Sequence, residues 1–93
     1  VAACEAAGAK AVALQGDMAS ATDISRIFTE AQAALGPLTH VVNNHGITGP
    51  ASTLAAAEIE TIRTCIDVNV TGAILVAREA AQTLLANPEA KNR

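Results

Sequence analysis

Four places in this 93-residue chain combine residue type and spacing in a way that could do chemistry. Asp17 closes a short apolar run, and its carboxylate, which only accepts hydrogen bonds, suits the capping of the next backbone amides in a turn. Asn43 and Asn44 end a second apolar run, where short amides satisfy the backbone groups left loose as a strand leaves its sheet. Gly46 follows, and without a side chain it lets a backbone come close to another molecule. Asn69 shares a helical stripe with Ile62, Ile66 and Ala73, a position expected to be buried. An unpaired amide buried there costs on the order of 1–3 kcal/mol, so a water or a backbone carbonyl must meet it. His40, Arg63 and Arg78 stand in no motif, and the two arginines are expected to pair at the surface with Glu60 and Glu79, which is worth little.

The elements that must position these groups follow from periodicity and punctuation. Residues 1–7 read as the last turns of a helix closed by Gly8. A strand follows over 10–15, with Val12 and Leu14 on one face, ended by Gly16-Asp17-Met18. Ser20-Ala21-Thr22-Asp23 has the form of a capping box, and the helix it opens carries Ile24, Ile27, Phe28, Ala31 and Leu35 as one apolar stripe before Gly36-Pro37 stops it. A second strand runs over 38–43, a Gly, Pro and Ser-rich loop over 48–54, and a long helix over 56–85. In that helix Ile59, Ile62, Ile66, Asn69, Ala73, Ala77, Ala80 and Leu84 recur at helical spacing; Asn87-Pro88 closes it, and 89–93 form a polar tail or loop. Helix end, strand, helix, strand, long helix is the order of an α/β protein with a parallel sheet. In such folds ligands sit beyond the carboxyl ends of the strands, which puts Asp17 and the 43–46 run on one working edge.

Composition removes several classes. The chain is 51% hydrophobic with a net charge of −3, yet it has one Phe and neither Trp nor Tyr. Alanine supplies 22 of the apolar residues and buries little area, so the core is thin against roughly 1–2 kcal/mol of backbone entropy per residue. A nucleic-acid binder with a basic face and stacking aromatics is excluded, as is a secreted disulfide scaffold. Cys4 and Cys65 form no metal or redox spacing and are expected to be buried, reduced thiols. No apolar run reaches the ~18 residues of a membrane span and no basic leader opens the chain, so a cytoplasmic location is expected. Val1 in place of an initiating Met leads to the expectation of a segment of something longer.

Asn43-Asn44-x-Gly46 at a strand end, Asn69-Val70-x-Gly72 in the long helix and the upstream Asp17 together resemble the classical short-chain dehydrogenase/reductase family. The likeness is nearest its glucose-dehydrogenase-like and acyl-carrier-protein-reductase-like members. It implies a Rossmann-like doubly wound parallel sheet, here a partial one over 1–93, and NAD or NADP as cofactor. It implies further that Asp17 accepts a hydrogen bond from the adenine amino group, while Met18 lays backbone and apolar side chain against the ring. Asn43, Asn44 and Gly46 line the ribose side. His45 stands where the family motif has Ala; packing in the core or at the cofactor edge is expected of it, not catalysis. Asn69 disturbs the long helix and holds, through its backbone, a water that relays protons to a catalytic lysine, and Gly72 fits a helix weakened there.

The same resemblance shows what the 93 residues lack. There is no Gly-rich turn for the pyrophosphate, no Tyr to act as general acid or base with a Lys four residues on, and no following strand with its serine. The reading is therefore an internal segment of an NAD(P)-dependent oxidoreductase that moves a hydride between nicotinamide and a small carbonyl or alcohol substrate, inactive by itself. The alternative is a non-catalytic nucleotide-binding or interaction module on the same scaffold. The residue that chooses between NAD and NADP falls before Val1 and the substrate loops after Arg93. In the strand order 3-2-1-4-5 the two strands present are not neighbours, and at ~4.8 Å per strand a gap of roughly 14 Å separates them. The family also implies a homodimer or homotetramer built on the 56–85 helix, with neither nucleic acid, metal nor membrane involved.

Overall fold

The computed structural model describes residues 1–90, so the end of the expected 89–93 tail lies outside the described residues. In chain order these form α1 (Ala2–Ala6), α2 (Ala21–Leu35), a 3-10 turn (Leu54–Ala56), α3 (Ile59–Ile66), a π-helical turn (Asp67–Thr71) and α4 (Gly72–Ala86). The expected order of helices is kept, but the parallel sheet is not there: segments 10–15 and 38–43 form no hydrogen-bonded ladder among the described residues. A hydrogen-bonded ladder needs an adjacent strand. The chain carries two strand-type runs, and the family's strand order does not make them neighbours. Val42 is accordingly 88% exposed.

Helix α2 forms where its caps and stripe put it. Ser20 Oγ accepts the Asp23 amide at 3.1 Å, and the chain leaves the helix at Gly36 with φ +85°, a left-handed value that a side chain would strain. The box is not reciprocal, because the Asp23 carboxylate turns to the Asp17 amide at 2.9 Å instead of to Ser20. Ile24 and Phe28 pack with Val76 and Ala80 of α4 into the core, with Met18, Leu38, Val41 and Leu75 against them. Buried Asn87 ties the second segment to the end of α4, its Nδ2 donating to the Leu38 carbonyl at 2.7 Å.

The long helix differs from expectation in its start and its face. Thr53 Oγ1 accepts the Ala56 amide at 3.3 Å and closes a single 3-10 turn, so the helix proper begins at Ile59 rather than at residue 56, and it ends at Ala86. Ile59, Ile62 and Ile66 are exposed, and α4 buries Gly72, Val76 and Ala80 in place of the expected Ala73, Ala77 and Leu84. The offset is already present in α3, where Thr61 and Cys65 are half-buried, followed by Val68, so the inward face through Val76 lies one residue before the expected stripe. Between α3 and α4 the Gly72 amide bonds to the Asp67 carbonyl five residues back, a π turn that holds one extra residue. Cys4 is exposed and Cys65 half-buried, against the expectation of burial; α1, which carries Cys4, buries none of its residues.

Candidate functional site

The first strand end is held from below by the opening turns of α2. Arg26 donates from Nη2 to the Gln15 carbonyl at 2.6 Å, and Asp23 takes the Asp17 amide. Asp17 itself folds its Oδ1 onto the Ala19 amide at 2.8 Å, the turn-capping role its type allows. Its other oxygen, Oδ2, meets no donor among the described residues, and the residue is exposed. Arg26, Asp23 and Asp17 thus edge a shallow concavity of about 370 Å³ with Gln15 and Gly16. Nothing local in the sequence signals that Arg26 reaches a carbonyl eleven residues upstream.

The second strand end lies along the π turn. Asn43 Nδ2 donates to the Ala73 carbonyl at 3.0 Å, and His45 Nε2 stands 2.8 Å from the Val68 carbonyl. Asn69 is clamped both ways onto Ile47: its Oδ1 accepts the Ile47 amide at 2.8 Å and its Nδ2 donates to the Ile47 carbonyl at 2.7 Å. The amide is thus met by backbone, one of the two partners its type required. It is exposed, however, and not buried as its stripe implied, because that stripe is turned away from the core. Asn44 is exposed and its side chain makes no hydrogen bond among the described residues.

Gly72 brings the two ends together. A Cβ built there would run into the backbone carbonyl of Met18, so only a glycine lets the first segment rest on the start of α4. Met18 is half-buried beside the core at that point. One residue further on, Ala73 receives Asn43. Met18 and Asn43 therefore meet adjacent residues of one helix, although the segments they end form no sheet among the described residues. Sequence reading took Gly72 as a weak point in the helix and missed the closer constraint.

A concavity of about 650 Å³ between α2 and α4 contains none of Asp17, Met18, 43–46 or Asn69; Arg26, Arg78, Glu30 and Glu79 line it with Thr22 and Leu75. Arg63 meets Glu60 at 3.1 Å at the surface as expected, while Arg78 meets Glu79, which is half-buried, at 3.5 Å. No helix among the described residues is long and apolar enough to cross a membrane.

Known proteins are similar to this chain in sequence. A short-chain type dehydrogenase/reductase from Picea abies is 37% identical over 79 residues, covering 84% of this chain and 29% of its own length. Glucose 1-dehydrogenase 2 of Bacillus subtilis is 32% identical over 80 residues, covering 86% of this chain and 31% of its own. A Xanthobacter autotrophicus protein named as an inactive 2-(S)-hydroxypropyl-CoM dehydrogenase 2 is 38% identical over 78 residues, covering 84% of this chain and 34% of its own. The chain thus spans 29–34% of the length of these relatives. The family model for short chain dehydrogenases matches residues 1–91, and the chain belongs to that family.

Proposed function

We propose that residues 1–93 are a partial Rossmann domain of an NAD(P)-dependent oxidoreductase, contributing the adenine and ribose side of the dinucleotide site and a relay asparagine. The observation that carries this reading is the convergence of both strand ends on Gly72 and Ala73. The residues suit the ligand. Asp17 keeps Oδ2 for an outside donor such as the adenine amino group, and Met18 offers a half-buried apolar side chain next to it. A Cβ on Gly46 would reach only Asn69 Oδ1, at 3.4 Å, so the backbone there is open to close approach from a ribose. Asn43 and His45 are engaged with the helix and set the line of that backbone, leaving exposed Asn44 to face a ligand. Asn69, fixed by Ile47, holds its backbone in the π turn, in place to bind a relay water.

The nicotinamide, when bound, supplies or accepts a hydride at a small carbonyl or alcohol. The proton donor for that reaction is a tyrosine in the family pattern, and these 93 residues contain none. They bind and orient, and proton transfer falls to residues outside them. The test is oxidation of NADH and NADPH by the full-length protein against a panel of aldehydes and ketones, followed by nicotinamide absorbance. Turnover with one coenzyme is expected; dinucleotide binding without turnover of any carbonyl would favour a second reading. That second reading is a non-catalytic nucleotide-binding module, and the relative whose name marks it inactive supports it.

A further inference from the structure

One contact along the π turn uses a residue for which the dinucleotide site has no direct need. In a regular α-helix the Gly72 amide would bond to the Val68 carbonyl; here it bonds to Asp67, five residues back, and Val68 loses that partner. His45 Nε2 stands 2.8 Å from the Val68 oxygen, and both residues are half-buried. A carbonyl only accepts, so Nε2 carries the hydrogen. His45 and Ile47 therefore grip consecutive helix residues, Val68 through its carbonyl and Asn69 through its amide. An alanine at position 45, the usual residue of the family motif, has no donor to offer.

We propose that His45 is a positioning residue that latches the π turn open by taking the carbonyl the turn sets free. Without the latch, Val68 regains the Gly72 amide, the turn tightens to α-helix and Asn69 rotates by about 100° relative to α4, away from Ile47. The consequence for catalysis rests on Asn69 being the relay residue proposed above; the latch itself does not.

Full-length protein in four forms tests it: wild type, His45→Gln, which keeps a donor of similar reach, His45→Leu, which fills the space without one, and Asn69→Ala. Nitrogen NMR of the wild-type ring is expected to show a hydrogen on Nε2. The Val68 carbonyl carbon resonance is expected to shift in His45→Leu and to stay near its wild-type position in His45→Gln. The turnover number kcat should fall about tenfold in His45→Leu with little change in the KM for dinucleotide, the scale of a lost positioning contact, and His45→Gln should recover most of it. An Nδ1–H tautomer, or Leu and Gln variants alike at Val68, would overturn the latch. Full activity in Asn69→Ala would instead overturn the relay reading, and the tautomer and the Val68 resonance would still decide the latch.

Discussion

At Gly72 the Met18 backbone carbonyl lies where a Cβ would stand. Gly72→Ala would ordinarily favour a helix by about 1 kcal/mol. Here the added methyl meets backbone, which cannot rotate aside as a side chain would. We expect it to destabilise the full-length protein by about 1–3 kcal/mol, read as a lower denaturant midpoint, and to weaken dinucleotide binding by displacing Met18. A stabilised protein with unchanged binding would show that Met18 does not rest on α4. At this scale the sequence was informative about chemistry and less so about partners. Asp17 and Asn69 stood out by type and place, and each makes a contact that type allows. That Asn69 should meet Ile47, 22 residues away, depends on the tertiary path of 43–47 and has no local signal.

Helix α2 and the π turn between α3 and α4 show two different relations between pattern and element. In α2 the cap, stripe and stop lie within one run of residues, and all three were legible. Ser20→Ala should cost about 1 kcal/mol through loss of the bond to the Asp23 amide, measured as a shift in midpoint without a change of slope. In the long helix the stripe was read one residue late along its length: Ile62, Ile66 and Asn69 are exposed where Thr61, Cys65 and Val68 are half-buried, and Gly72, Val76 and Ala80 hold the face given to Ala73, Ala77 and Leu84. Within it the backbone of residues 67–71 departs from the 3.6 period. Asn69 and Gly72 had marked the region as disturbed; the direction of the disturbance follows only from the Gly72 to Asp67 bond. Deleting Val70 should restore regular helix, leave helical circular dichroism intact and remove turnover, since α3 and Asn69 then rotate against α4. Wild-type turnover after the deletion would mean that the π turn does not position the site.

As a whole the chain is open. Its radius of gyration is 16.1 Å, against about 12 Å for a compact domain of this length. Exposed Val42, Leu54, Ile59, Ile74 and Leu85 tell the same story: two strand runs without neighbours and a helix face without a partner. The parallel sheet was legible in the order of elements, but no ladder forms among the described residues. We expect the separate 93-residue peptide to unfold without a sharp transition; a cooperative melt with a protected amide core would contradict this. The apolar face of α3 and α4 should be covered in the full-length protein by a second copy, and a monomer by light scattering at micromolar concentration would count against that. The most direct test of the account is whether Asp17 and Gly46, far apart in sequence, serve one ligand. Titration of the full-length protein with NADH and NADPH, followed by nicotinamide fluorescence, should show that Asp17→Ala and Gly46→Val each raise Kd for the same dinucleotide at least fivefold, about 1 kcal/mol. Unchanged affinity in both variants would contradict the claim that the two strand ends form one dinucleotide edge.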